Sequence, residues 1–193
     1  LQNLYDLAKT MIPGAIVEDD SSWIGWNRVH DFWDDHPYGN NHTWLKTLAG
    51  FNDHIPAHGL KPLVLGACMA ADTWIDHAAA IARLGPERPW WAPGPLDEVP
   101  RWLARMRAVA GPGGLDQLRS DSLRYGLLMR KYQAEAFRRE IPYGGYVITR
   151  IRDFPTAPMG LLEYGGQPPM PGDRLGRGMG EHPPGIPSPC YLL

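Results

Sequence analysis

Four short strand candidates, joined by polar loops or by helical patterns, set the strongest constraint on the fold of this 193-residue chain. The first of them, Ala15–Val17, is a short apolar run followed at once by acidic residues, a pattern typical of a buried parallel strand that opens into a polar loop. The helical patterns between them favour parallel pairing and therefore an α/β architecture. The predicted strands are residues 15–17, 28–33, 61–66 and 145–151.

Helical periodicity accounts for most of the remaining residues up to about position 140. Pro13 and Gly14 are expected to stop the first helix, and Thr43 is expected to cap the second. The predicted helices span residues 3–11, 43–57, 71–84, 97–109 and 114–140. The predicted buried face of the second helix carries Trp44, Leu48, Phe51 and Ile55. That of the last helix carries Leu115, Leu118, Leu127, Leu128, Tyr132 and Phe137.

Proline and glycine separate a regular part of the chain from an irregular tail. Residues 85–100 contain five prolines and are predicted to form a long loop. Residues 155–193 contain nine prolines and eight glycines, a composition typical of loops and linkers. We therefore predict one domain over residues 1–154, followed by a Pro/Gly-rich tail over residues 155–193.

Charge and cysteine content argue against several classes of partner. The chain has 19 basic and 21 acidic residues, so no concentrated basic face for a nucleic acid or an anionic membrane is expected. No apolar run approaches the ~20 residues of a membrane-spanning helix. Cys68 and Cys190 do not form a disulfide framework or a zinc motif. Because a helical pattern follows Leu1 directly, we expect the chain to begin inside a fold, which leaves its localisation open.

Polar residues follow each of the four predicted strands. The carboxyl ends of parallel strands meet at the same edge of a sheet, where the active sites of α/β proteins form. Acidic residues also favour loops and helix caps, so each one alone is weak support. Together they predict a binding cleft. The candidate binding residues are Asp20, His36, Tyr38, Asp72 and Asp153.

The eight tryptophans are a second unusual feature. An indole ring serves either to fill a core or to stack on the apolar face of a sugar ring. Trp23, Trp26 and Trp74 lie near predicted strand ends and are our candidates for stacking on a sugar. Trp90 and Trp91 lie in the proline-rich loop, which suggests a docking surface instead.

Other chemistries find less support in the sequence. Asp34, Asp35, His36 and His30 carry ligand atoms suited to a metal, yet no motif with metal-ligand spacing is present. No nucleophile elbow accompanies the serines, and no glycine-rich phosphate loop follows a strand. We therefore expect neither a metal nor another cofactor.

Three runs of residues carry a resemblance to a known family. The run Lys61–Gly66, followed by Ala67, combines a Lys-Pro pair with apolar strand residues and a small residue. It resembles the seventh barrel strand of glycoside hydrolase family 2, where a catalytic Glu follows. The run Gly145–Phe154 resembles the eighth strand, and Gly160–Glu163 resembles the Gly-Leu-Leu-Asp segment after it. Weaker matches, to strands five and six and to the helix before strand eight, are residues 15–22, 29–38 and 123–137.

The resemblance implies the C-terminal half, strands five to eight, of a (β/α)₈ TIM barrel. It also implies retaining hydrolysis of O-glycosidic bonds, in which one carboxylic acid protonates the leaving oxygen while a second carboxylate attacks from about 5–5.5 Å away. The acid/base Glu belongs to an Asn-Glu pair at the end of strand four, upstream of this chain, and the nucleophile position maps onto Ala67. His36 or Tyr38 is expected near that position, and Asp153 is expected in the floor of the cleft.

Alanine has no oxygen that can form a glycosyl-enzyme, so we expect the chain to be inactive as it stands. Its expected partners are an oligosaccharide or glycoside substrate and the N-terminal half of its own barrel. The localisation stays open, and a periplasmic or extracellular parent protein is compatible with the resemblance. Two alternatives stay open. One is a non-catalytic carbohydrate-binding protein or pseudoenzyme that keeps the cleft without the chemistry. The other is an interaction module that docks through Trp90 and Trp91.

Overall fold

The structure, a computed structural model, describes residues 1–19, 29–87, 89–92, 94–154 and 156–164. These residues form two compact units, one drawn from positions 1–69 and 132–148 and the other from positions 70–131 and 149–164. The helices are α1 Gln2–Met11, α2 Asn41–His58, α3 His77–Leu84, α4 Val99–Ala110 and α5 Gly114–Glu140, with a short 3₁₀ helix, Gly94–Glu98, before α4. No helix within these ranges is long and apolar enough to cross a membrane.

The first unit contains a three-stranded parallel sheet. Its strands are β1 Trp33–Asp35, β2 Leu63–Cys68 and β3 Gly145–Ile148, and they lie side by side in chain order. The predicted parallel pairing is confirmed for these three strands. All three carboxyl ends therefore meet at the same edge of the sheet, which is where α/β proteins place their sites.

The core of the first unit lies between one face of this sheet and two helical segments. The predicted buried face of α2 is confirmed in full. The indole Nε1 of Trp44 donates a hydrogen bond to the carbonyl of Gln133 at 3.0 Å, which joins α2 to the end of α5. The buried members of the core are Trp33, Trp44, Leu48, Phe51, Ile55, Leu63, Leu65, Cys68, Met69, Ala134, Ala136, Phe137 and Ile141.

The predicted strand at residues 15–17 is wrong, because the backbone there bonds to a side chain. The carboxylate of Asp31 accepts the N–H of Val17 at 2.7 Å, so that N–H is not available to a strand ladder. Lys9 and Tyr5 also donate to this carboxylate. The three hydrogen bonds hold the pKa of Asp31 well below its usual range, with Lys9 as the largest cause.

The other three predicted strands are present with shifted bounds. β1 begins at Trp33, the last residue of its predicted segment, where the N–H donates to the carbonyl of Pro62 at 2.8 Å. β2 begins at Leu63, since Pro62 has no N–H to offer a ladder, and it continues to Cys68. β3 ends at Ile148, before its predicted end.

Side-chain caps explain the largest differences between the predicted and the observed starts of the helices. α2 is capped by Asn40 and not by Thr43, because the Asn40 side chain accepts two backbone N–H groups of the first turn. α3 begins at His77 and not at Ala71, because the Asp76 side chain accepts a first-turn N–H at 2.9 Å. The residues before Asp76 are consequently a loop.

The bounds of α5 match the prediction, but its predicted buried face is partly wrong. Phe137 is buried, Leu115 and Leu127 are half-buried, and Leu118, Leu128 and Tyr132 are exposed. The buried positions include Arg130 and Gln133, whose side chains donate to backbone carbonyls. Hydrophobic periodicity does not detect such residues, because the hydrogen bonds that permit their burial are made to distant segments.

Candidate functional site

The carboxyl edge of the first unit's sheet brings an aspartate, a histidine and a glycine together. Asp34 lies on β1, and its Oδ1 accepts the backbone N–H of Gly66 on β2 at 2.8 Å. The Nε2 of His36 lies 3.4 Å from the other oxygen of Asp34. Since Trp33 faces the helices, the alternation of a strand places Asp34 on the opposite face. We call Asp34, His36, Gly66 and Ala67 the strand-end site.

A β-bulge lies at the end of β2, where the family resemblance places the nucleophile. Leu65 pairs with Tyr146 and Cys68 pairs with Ile148, so β2 has one residue more than β3 between these pairs. Leu65 and Cys68 both belong to the helix-facing core, whereas Ala67 is buried outside it. The extra residue therefore separates Ala67 from the row of helix-facing side chains.

Gly66 is the residue that permits the close contact between β1 and β2 at this site. A Cβ atom at position 66 would lie 2.6 Å from Oδ1 of Asp34 and 2.8 Å from Nε2 of His36. Both distances are shorter than van der Waals contact, so a larger residue would displace the two side chains. Glycine is thus required by the site and not by the strand.

We expect Gly66→Ala to lower the free energy of unfolding by about 1–3 kcal/mol, because the added methyl group overpacks the strand-end site. The matched control is Gly50→Ala on α2, where a Cβ would meet nothing within 4 Å. That variant is expected to be more stable by roughly 0.5–1 kcal/mol, since Ala is favoured over Gly in a helix. Urea denaturation of both variants measures their free energies of unfolding. A Gly66→Ala protein as stable as the unchanged protein would contradict the close contact of Gly66 with Asp34 and His36.

His36 and Tyr38 were the two predicted binding residues after β1, and the structure places them together. Their rings meet edge to face with centroids 6.4 Å apart, and Tyr38 is exposed. The N–H of His36 donates to its neighbour Asp35 at 2.6 Å, which fixes the backbone where the imidazole begins. Asp34 was predicted as a polar residue at a strand end but not as a binding residue. In the structure it is the carboxylate that the imidazole of His36 contacts.

Asp72 and Trp74 lie in the second unit, where they line one pocket of about 330 Å³. The pocket also contains Trp102 of α4, whose ring centroid lies 5.6 Å from that of Trp74 at an interplanar angle of 37°. Periodicity alone presents Trp102 as one apolar residue of an amphipathic helix, which is why sequence reasoning missed it. The remaining lining residues are Thr73, Ile75, His77, Ser122, Thr156 and Pro158. We call this cavity the two-tryptophan pocket.

Asp153 is buried in the second unit, where it holds a loop. Its Oδ1 accepts the N–H of Gly160 at 2.6 Å. Burial raises the pKa of Asp153, while the hydrogen bond from Gly160 and the nearby Arg130 oppose the shift. The guanidinium of Arg130 donates to the carbonyls of Ala71 and Met159. This gives Asp153 a structural role, and its contact with a substrate stays a prediction.

The remaining predicted site residues are Asp20, Trp23 and Trp26, which lie outside the described residues. Within the described ranges, no group of three or more His, Cys, Asp or Glu residues is arranged to hold a metal ion. Cys68 is fully buried, and burial raises the pKa of its thiol, so it is a core residue and not a nucleophile.

No family model and no curated protein matches the chain. Its function is therefore inferred from the strand-end site, from the two-tryptophan pocket and from the sequence pattern around β2 and β3. A fold hosts many functions, so the side chains at these sites carry the inference.

Proposed function

We propose that this chain is the C-terminal half of a retaining glycoside hydrolase barrel of the family 2 type, with the nucleophile position occupied by Ala67. The observation that carries the proposal is the bulge in β2, which sets residue 67 apart from the helix-facing core, directly after Gly66, whose N–H donates to Asp34. The parent reaction is hydrolysis of an O-glycosidic bond. The chain itself is inactive in this reaction.

The arrangement of the sheet supports a barrel origin. In a (β/α)₈ barrel, consecutive strands are parallel neighbours with helices on one face and a packed interior on the other. β1, β2 and β3 pair in chain order, and helices cover the face that carries Leu63 and Leu65. In this interpretation the three strands are strands six, seven and eight of the barrel. Residues 15–17, the proposed fifth strand, are not a strand here.

The chemistry of position 67 explains the proposed lack of activity. A retaining glycosidase needs a carboxylate that attacks the anomeric carbon and a second carboxyl group about 5–5.5 Å away that protonates the leaving oxygen. The methyl group of Ala67 has no lone pair with which to attack the anomeric carbon and no negative charge. Asp34 is held by the N–H of Gly66 and faces His36, so its carboxylate is already engaged on β1.

A non-catalytic carbohydrate-binding protein is the second candidate, and the two-tryptophan pocket favours it. Paired indoles with polar side chains around them suit a sugar whether or not a reaction follows. The two candidates differ in what precedes the chain. A glycosidase supplies an acid/base Glu in an Asn-Glu pair at the end of barrel strand four, whereas a binding protein does not need one.

Sequencing the coding region upstream of Leu1 tests the proposal. We expect it to encode four further strand–helix units, with an Asn-Glu pair directly after the fourth strand. An upstream region without such units contradicts the barrel, and a barrel without the Asn-Glu pair favours the binding protein.

A further inference from the structure

The two-tryptophan pocket combines flat apolar surfaces with a polar wall. Trp74 and Trp102 supply the indole faces, and the ring of His77 lies edge-on to Trp102 at a centroid distance of 5.9 Å. Thr73 and Ser122 bring hydroxyl groups to the wall. A ligand that fits such a pocket has apolar C–H faces and a rim of hydroxyls, which describes a pyranose ring.

The size of the pocket agrees with such a ligand. Its volume of about 330 Å³ lies at the lower end of the ~300–1,000 Å³ that small-molecule sites span. A ligand of one or two sugar rings is therefore expected.

The loop that carries Trp74 is fixed before any ligand binds. The N–H of Trp74 donates to Oγ of Ser122 on α5 at 2.8 Å. The N–H and the hydroxyl of Thr73 both donate to the carbonyl of Pro158, at 2.8 and 3.1 Å. Gly126 lets this loop approach α5, since a Cβ there would lie 2.5 Å from a methyl group of Thr73. A wall held in this way loses little conformational entropy on binding.

The charges around the pocket select the class of sugar. Asp72 is the acidic residue of the wall, and no Lys or Arg is among the described residues that line it. Burial lowers the pKa of His77, which keeps its imidazole neutral at neutral pH. A uronic acid or a sulfated sugar would bring a second negative charge next to Asp72. Arg130 interacts electrostatically with Asp72, but it does not line the pocket, and its guanidinium already donates to the carbonyls of Ala71 and Met159.

We propose that the two-tryptophan pocket binds a neutral pyranose by stacking on Trp74 and Trp102. The proposal shares only its ligand class with the proposed function. If neutral sugars bind but Ala67→Glu gains no hydrolytic activity, the pocket proposal holds and the glycosidase proposal is contradicted. If Ala67→Glu gains activity but no sugar binds to the pocket, the glycosidase proposal holds and the pocket proposal is contradicted.

Isothermal titration of the protein tests the pocket with methyl β-D-glucopyranoside, methyl β-D-galactopyranoside, methyl β-D-mannopyranoside and cellobiose as probes, and with methyl β-D-glucuronide as their anionic counterpart. We expect saturable binding of at least one neutral probe. We expect the glucuronide to bind at least about tenfold more weakly than the matching glucoside, or not at all. Absence of saturation with all neutral probes would overturn the proposal, and equal binding of the glucuronide would overturn its charge preference.

Three variants at two tryptophans separate stacking from general effects on the protein. Trp102→Ala is expected to weaken binding of the best neutral probe about tenfold or more, and Trp102→Phe, which keeps an aromatic face, to weaken it less. Trp90→Ala is the matched control, since Trp90 is 95% exposed and does not line the pocket. Equal losses in Trp90→Ala and Trp102→Ala would overturn the proposal.

Gly126→Ala gives a second measurement if Trp102→Ala fails to fold. It leaves both indoles in place and moves the loop of Thr73 away from α5. We expect its affinity for the best neutral probe to fall severalfold, with a near-ultraviolet circular dichroism spectrum that still reports folded protein. Unchanged affinity in this variant would count against the pocket, because the position of the loop would then not matter.

Discussion

Placing a carboxylate at the proposed nucleophile position, as Ala67→Glu in the protein extended through its upstream coding region, is expected to raise aryl glycoside hydrolysis by about 10⁴-fold or more over the unchanged protein. Residue 67 lies at the bulge in β2, set apart from the helix-facing core. We expect a longer side chain there to leave Leu65 and Cys68 in place, because Ala67 is not a member of their cluster. The rate is measured with a panel of 4-nitrophenyl β-glycosides.

Ala67→Gln is the matched control for this variant. Gln has the shape of Glu but carries no charge and is a poor nucleophile, so the rate should stay at the level of the Ala67 protein. An equal gain in both variants would mean that side-chain size, and not the carboxylate, restores activity. No gain with Glu on any glycoside of the panel would contradict the assignment of the nucleophile position.

An external nucleophile should act in place of the carboxylate in the unchanged protein. Under the proposed assignment, azide takes the place of the carboxylate that Ala67 lacks and attacks the anomeric carbon while the C–O bond to the leaving group breaks. With 2,4-dinitrophenyl β-glycosides the leaving group departs as the phenolate and needs no proton. The product is the α-glycosyl azide, and the Ala67→Glu variant should give the hydrolysed sugar instead.

We expect Trp44→Ala to destabilise the protein more than any other single change discussed above, by about 3–5 kcal/mol. Trp44 is fully buried in the core of the first unit, and its indole donates to the carbonyl of Gln133. Truncation leaves a cavity between α2 and the end of α5 and also removes the hydrogen bond. Urea denaturation, followed by far-ultraviolet circular dichroism, measures the loss.

Two further variants divide that effect into its parts. Leu45→Ala changes the next residue of α2, which is 44% exposed, and should stay within about 0.5 kcal/mol of the unchanged protein. Trp44→Phe keeps most of the apolar volume but lacks the N–H, so its loss should fall between those of the two alanine variants. A Trp44→Ala protein as stable as Leu45→Ala would mean that the indole does not support the core.

The sequence predicted the elements of this fold better than their ends. The apolar runs at β2 and β3 and the buried face of α2 follow directly from hydrophobic pattern, because local residues determine them. The prediction of a strand at residues 15–17 was wrong because Asp31, 14 residues after Val17, accepts the hydrogen bond of the Val17 N–H. No local pattern contains that contact.

The candidate sites were predictable only in part, for the same reason. His36 and Tyr38 follow a strand and were found by their position in the sequence. Asp34 and Trp102 were missed as binding residues because each is defined by a partner, Gly66 for the first and Trp74 for the second. The number of tryptophans suggested two roles, packing in a core and stacking on a sugar. The burial of each indole separates these roles, since Trp44 lies in the core whereas Trp102 lines a pocket.

The extra residue in β2 also affects how well this protein tolerates substitutions at position 67. Because pairing resumes at Cys68, an exchange of the side chain at position 67 leaves the rows of residues beneath α2 and α5 unchanged. The core of the first unit therefore does not depend on a particular side chain at position 67. A catalytic group at the proposed nucleophile position would be lost or regained by a single exchange outside the residues that build this core.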